Sequence, residues 1–324
     1  MNDDRLRVPR WLSTALLVAT LGLVVWLIAR DRPSLDPLRD LSAGALVLIM
    51  VLQFLYLIPE SYRQEIVIES SSARAIPSFA WFRIFIVGRF LNTLVPQGGN
   101  VYRALRLRSD YGVAVTRFGG GMAAFIVMSV VASLFTAAPL LAWQSPSTTV
   151  AGLPASLVVL LAGIVVTAVP VAAAIVARRL GSPRGESAGF LGTVSRVAQA
   201  TLAALTDQRL LVKFLGVWGV TVVVVVALYR AVFDATGWDL GIGEAVAIYA
   251  LLQVSSFIVL TPGNLGIQEL GLAALAALFG IPAASGALAA ALIRVTGWIA
   301  IAIPSLAFGT RDIREFLRSR RSPA

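Results

Sequence analysis

The chain has 324 residues, 58% of them hydrophobic and only 14% charged, with a mean hydropathy of +0.83. A soluble core of this length cannot enclose so much apolar surface, so the composition calls for lipid. The net charge of +10 is carried by arginine, with Lys213 the single lysine, and cysteine and histidine are absent. The charges lie in short loops where they set topology and do not point to nucleic acid. Without Cys and His there are no disulfides, thiol nucleophiles or imidazole bases, almost no zinc or haem chemistry, and no cofactor to expect.

Apolar segments fall at 12–29, 41–58, 79–96, 118–142, 153–177, 211–233, 244–262, 264–281 and 285–308. Several approach the ~20 residues that a bilayer crossing requires. They are continuous and not alternating, which predicts helices and not strands. The first run, Trp11 to Ala29, follows Arg5, Arg7 and Arg10 but lacks a small-x-small cleavage site, and reads as a retained span. The expectation is one all-α polytopic membrane domain over 1–324, with short tails at 1–10 and 310–324.

Arginine distribution orients the segments. The N-terminus, the 178–213 stretch and residues 311–321 are basic, whereas 143–152 is uncharged and 234–244 carries only Asp234, Asp239 and Glu244. The positive-inside bias places the first three, and both termini, on the cytoplasmic side of the cell membrane. A crossing at 79–96 would then strand Arg103, Arg106, Arg108 and Arg117 outside. The simplest repair is a re-entrant hairpin that turns at Pro96-Gln97-Gly98-Gly99-Asn100 and returns to the same side. Between Glu244 and Arg311, either three crossings or one hairpin plus one crossing satisfies parity. A hairpin at Pro262-Gly263-Asn264, with Gly266 beyond it, mirrors the first and gives an inverted pair of broken helices. The stretch 181–209 reads as a cytoplasmic loop with an amphipathic interfacial helix near 190–206.

Irregular backbone inside a bilayer is tolerated only where it is buried in protein or lines a water-filled cavity, so two breaks imply a cavity. Asn100 and Asn264 stand where they can cap the following helices, whose positive dipole ends then attract phosphate or carboxylate. Arg103 and Arg106 share a helix face with Asp110. Arg89, Glu269 and Arg294 lie deep in apolar runs, where each is costly against lipid and requires a partner or a cavity. Glu269 and Arg294 suit a structural ion pair. Equally, Arg294 and Arg89 suit an anionic headgroup, with Glu269 binding a cation or taking a proton when the pair opens. Gly119-Gly120-Gly121 reads as a helix-packing face, since no Lys-Ser/Thr follows for a phosphate loop. No acidic cluster for a sugar nucleotide and its metal is present, and a phospho-histidine mechanism is excluded. The chain is not expected to be an enzyme.

At its two breaks the sequence resembles the flippase-like membrane family related to the transmembrane part of lysylphosphatidylglycerol synthases. The resemblance rests on Asn92, on Pro96-Gln97-Gly98-Gly99-Asn100-Val101-Tyr102-Arg103, on Pro262-Gly263-Asn264-Leu265-Gly266-Ile267-Gln268-Glu269, and on Arg294. Asn100 replaces the family's usual acidic residue, and the Gly119 to Gly121 region replaces an acidic-Arg pair. The resemblance implies a lipid flippase. Characterised relatives move aminoacylated phosphatidylglycerol between leaflets, and others sit near lipid-linked sugar pathways, so a polyprenyl-linked lipid is a second expectation. The soluble synthase domain of those relatives has no counterpart in the 324 residues. The alternative reading is a non-transporting membrane partner or lipid-binding accessory of a lipid-modifying enzyme or glycosyltransferase. A membrane transferase with Glu269 as base is weaker, because no second carboxylate stands at its depth.

Overall fold

The computed structural model describes residues 41–70, 75–95, 97–144, 146–150, 152–179, 201–256 and 265–319, together with Gly22, Trp26, Ala29, Arg39 and Gln199. The described chain forms helices α1 (Ala43–Ser70), α2 (Ser78–Leu94), α3 (Gly98–Tyr111), α4 (Val115–Gln144), α5 (Ala155–Arg179), α6 (Gln208–Ala235), α7 (Ile242–Ser256), α8 (Ile267–Leu278) and α9 (Ala283–Ser319). A two-residue strand pair, Thr149–Val150 with Leu153–Pro154, closes the turn between α4 and α5. The expected all-α membrane bundle is the observed architecture. The predicted first span, 12–29, and most of the 181–209 loop lie outside the described residues; of the predicted interfacial helix, Gln199 and 201–206 are helical.

Among the described residues, four helices are long and apolar enough to cross a bilayer: Ala43–Ser70, Val115–Gln144, Gln208–Ala235 and Ala283–Thr310. Their outer faces carry apolar side chains with no protein cover, such as Val47, Val51 and Leu55 on α1, Val220 and Val223 on α6, and Ile299, Ile303 and Leu306 on α9. Such a surface is stable only against lipid. Inside, one apolar cluster joins Ile49 of α1, Phe125 of α4, Phe214, Trp218 and Phe233 of α6, Tyr249 of α7 and Leu272 of α8. A second gathers around α2 and α3 through Trp81, Phe85, Leu91, Tyr102 and Leu107. Tyr56 and Met122 pack against both clusters.

The first break is a helical hairpin. Gly88 and Arg103 touch, Gly99 lies against the Gly88 carbonyl, and Arg83 and Ile84 share a groove with Arg106 and Asp110, so α3 runs back along α2. At ~1.5 Å per residue the legs, of 17 and 14 residues, span only about 26 and 21 Å. Neither reaches across a hydrocarbon core of ~30 Å alone.

Contacts between helix ends fix the hairpin's direction. Glu65 accepts from the Ser78 hydroxyl (2.6 Å), Glu69 accepts from the Ile76 amide (2.8 Å), and Arg83 donates to the Phe308 carbonyl (3.3 Å). The close of α1, the start of α2, the close of α3 and Phe308 of α9 therefore share one end of the bundle. The start of α4 joins them through residues 112–114. This end carries Arg83, Arg106, Arg108 and Arg117.

Helices α7 and α8 open the other way. Helix α4 ends 30 residues from its start, and its Gln144 side chain sits against Gly243 beside the start of α7. Helix α9 reaches the basic end at Phe308, so its start at Ala283, about 38 Å away at the helical rise, belongs to the opposite end. Helix α8 joins that start through residues 279–282. Its 12 residues and the 15 of α7 are again shorter than a crossing. Residues 257–264, which hold the predicted turn at Pro262, Gly263 and Asn264, lie outside the described residues.

One boundary differs from expectation. Helix α1 does not end near residue 58 but continues twelve residues further, to Ser70, through a buried polar half that includes Glu60, Arg63, Gln64 and Glu65. Pro59 inside it removes one backbone donor but does not break the helix, because packing on α6 and α9 holds both halves.

Candidate functional site

The turn between α2 and α3 is built from glycine and asparagine. Gln97 is left-handed (φ 60°, ψ 0°), an uncommon conformation for a residue with a side chain. A Cβ on Gly99 would stand 1.7 Å from the Gly88 carbonyl oxygen, so the backbones meet where no other residue fits. The Gly99 amide donates to Asn92 Oδ1 at 2.8 Å, which satisfies a free helix N-terminal donor from the preceding helix. The expectation that Asn100 caps α3 is therefore corrected. The helix already starts at Gly98, and the Asn100 side chain bonds Gln97 and Arg103 instead.

Arg103 is 3% exposed. Its guanidinium donates to Gln64 of α1, to Asn100 and, at 3.4 Å, to the Gly99 carbonyl. All three acceptors are neutral. Arg106 and Asp110 do not join it: they pair with each other at 3.0 Å in the separate groove beside Arg83 and Phe308.

Glu269 sits in the first turn of α8 and is also buried. One carboxylate oxygen accepts from the Gly266 amide at 2.7 Å, and the other pairs with Arg294 Nε of α9. Gly266, with φ of 85°, takes a conformation that side chains disfavour and serves as the helix N-cap. Arg294 also donates to Gln268 Oε1 (3.4 Å) and lies 6.0 Å from the Trp298 ring centroid. The ion pair between Glu269 and Arg294 is thus formed. Asn264, the other expected cap, lies outside the described residues, as does Pro96.

These groups line one cavity of about 390 Å³ between the α2–α3 fold-back and helices α7, α8 and α9. Arg89, Asn100 and Arg103 enter it from α2 and α3; Gln268, Glu269 and Arg294 enter from α8 and α9. Five of the six predicted ligand-facing residues, Asn264 aside, are brought together. Gly98 and Gly99 are buried in the first turn and Gly266 at the start of α8.

Helix α1 supplies what sequence reasoning missed. Gln53, Tyr56, Leu57, Glu60 and Gln64 line the same cavity at helical spacing. Gln53 ties α1 to α9 through the Ile293 carbonyl (2.8 Å) and Thr296 (3.3 Å). Behind the cavity wall Arg63 is fully buried, ion-paired to Glu60, and boxed by the rings of Trp218 (4.8 Å), Phe125 and Phe214 (5.6 Å each). Arg63 is held by one carboxylate and three aromatic faces, a set of partners suited to a desolvated guanidinium.

Electrostatically, the cavity sorts its charges. Both lining carboxylates, Glu60 and Glu269, have an arginine of their own. Among the described residues, Arg89 and Arg103 hydrogen-bond to neutral acceptors, with Tyr56 bonded to Arg89 and Glu60 near Arg103, and both guanidiniums lie 5.9 Å from the ring centroid of Phe85. The site therefore holds an excess of two positive charges in a low-dielectric setting, where counter-charge is strongly favoured.

Residues 9–305 match the family model described as the lysylphosphatidylglycerol synthase TM region. No curated protein matches the chain significantly, and no solved structure does.

Proposed function

We propose that this chain, which belongs to the lysylphosphatidylglycerol synthase TM-region family, is a multi-pass lipid translocase that moves a lipid with an anionic headgroup between leaflets. The observation that carries the reading is the cationic cavity held between the α2–α3 fold-back, at the basic end of the bundle, and the half-length helices α7 and α8 at the other. A headgroup enters such a cavity and is neutralised by Arg89 and Arg103, while its tails remain against the apolar outer faces of the bundle. In this reading α2–α3 and α7–α8 lie within the membrane as an inverted pair of re-entrant hairpins, and the first turns Gln97 and Asn100 toward the cavity. The basic end, with Arg83, Arg106, Arg108 and Arg117, faces the cytoplasm of a cell membrane, and the end with Asp234, Asp239 and Glu244 faces out.

The mechanism requires no covalent chemistry. Glu269 is committed on both oxygens, to Gly266 and to Arg294, which disfavours it as a resting general base. A phosphate held by Arg89 and Arg103 lies in the same cavity as the Glu269–Arg294 pair, which ties the start of α8 to α9. A lipid-modifying enzyme or glycosyltransferase is the natural partner to supply such a substrate.

Reconstituted in vesicles, the protein should move fluorescent anionic phospholipid to the opposite leaflet, as read by loss of signal to an impermeant quencher. Arg294→Ala and Glu269→Gln should slow transfer by about tenfold or more, a factor corresponding to ~1.4 kcal/mol. Transfer no faster than in protein-free vesicles across a panel of lipids, with stable copurification of an enzyme, would favour an accessory role instead.

A further inference from the structure

We infer that the cavity selects a lipid whose headgroup ends in a doubly charged phosphate, a phosphomonoester or diphosphate, over a phosphodiester or an amine-bearing headgroup. The inference rests on the translocase reading for the fate of the lipid but not for its binding.

Among the described residues, four arginines lie in or directly behind the cavity wall, and two carboxylates face them. Glu60 is paired with Arg63 and Glu269 with Arg294. That leaves Arg89 and Arg103, each lying near the ring of the one phenylalanine, Phe85, and bonded only to neutral oxygens of Tyr56, Gln64, Asn100 and Gly99. Arginine stays protonated even when buried, so the excess cannot be relieved by losing a proton. A phosphodiester brings one negative charge and leaves one guanidinium unmatched. A terminal phosphate brings about two charges and three acceptor oxygens, the number that two forked guanidiniums can engage.

The same pattern disfavours an amine. An aminoacyl headgroup needs a free carboxylate for its ammonium, and both carboxylates lining the cavity already have an arginine. Asn100, at the position where a carboxylate would offset Arg103, is neutral. The ligand is lipid-borne, because the same cavity is walled by Leu57, Phe125, Ile126, Leu228 and Ile301, apolar groups with no use for a free phosphate ion.

The test compares binding of phosphatidic acid, phosphatidylglycerol and lysyl-phosphatidylglycerol, with matched acyl chains, to the full chain in nanodiscs. Soluble glycerol phosphate serves as competitor. Phosphatidic acid should bind at least about tenfold more tightly than either phosphodiester, and glycerol phosphate should not displace it at comparable concentration. Arg89→Gln should abolish most of that preference, weakening phosphatidic acid binding about tenfold more than phosphatidylglycerol binding. Arg103→Lys, which keeps the charge at a buried site where Arg103→Gln risks misfolding, should retain it in part. Arg230→Gln, at an exposed pair with Asp239 remote from the cavity, should behave as the parent. Equal or tighter binding of either phosphodiester lipid, loss of all lipids alike in Arg89→Gln, or ready displacement by glycerol phosphate overturns the inference. Selective binding of phosphatidic acid without leaflet transfer would sustain it and defeat the translocase reading; transfer confined to phosphatidylglycerol would do the reverse.

Discussion

Arg63 shows how far a single buried charge can organise its surroundings. It is fully enclosed by Trp218, Phe125 and Phe214 and paired with Glu60 on the next turn. Removing one partner of such a pair leaves the other charge uncompensated, so Arg63→Met should cost about 3–5 kcal/mol. The double variant Glu60→Leu with Arg63→Met should recover much of it. Thermal unfolding in detergent distinguishes the cases; a single variant as stable as the parent would show that the pair is idle. Arg89, Glu269 and Arg294 were legible in the sequence because each interrupts an apolar run, where charge is expensive, and Arg103 because it closely follows the first Pro/Gly break. Glu60, Arg63 and Gln64 were not singled out because they follow the run that ends near residue 58, and hydropathy falls there although the helix does not. Their helical spacing from Gln53, at 60 and 64, was the available signal. The partners of Arg103 were invisible for a different reason: Gln64 lies 39 positions away, and only the fold joins them.

At the scale of elements, the fold-back of α2 and α3 follows from composition, but its details do not. Pro/Gly clusters and arginine parity foretold that α2 and α3 fold back. Which side chain satisfies the turn depended on how closely the helices approach, and Asn92, on the first leg, reaches Gly99 where Asn100 does not. That approach is testable. Gly99→Ala would drive a methyl into the Gly88 carbonyl and should disrupt the hairpin, with a large drop in melting temperature and loss of lipid binding. Gly119→Ala meets nothing within 4 Å and replaces a poor helix former inside α4, so it should be neutral or stabilising by up to about 1 kcal/mol. A Gly99→Ala protein that melts like the parent would contradict the close packing. The reading of Gly119 to Gly121 as a packing face holds for Gly120 and Gly121, which are buried, and not for Gly119, which is exposed.

Across the whole molecule, charge and topology agree. The basic ends of α2, α3 and α4 gather where α9 passes Phe308, while the acidic loop at 234–244 lies at the other end, as orientation by short basic loops requires. Helices α2 and α3 approach from one end and α7 and α8 from the other, so the cavity between them exists only in the assembled bundle. Sequence order could indicate two breaks, but not that α1 would run between them and contribute a third wall. The central claim is that α2 and α3 enter and leave the membrane on one side. Because the chain contains no cysteine, single substitutions report sidedness directly. In intact cells and in inverted vesicles, an impermeant thiol reagent should label Ala75→Cys and Ser109→Cys from the same, cytoplasmic side, and Thr149→Cys from the other. Labelling of Ala75→Cys and Ser109→Cys from opposite sides would make α2 a full crossing and contradict the account.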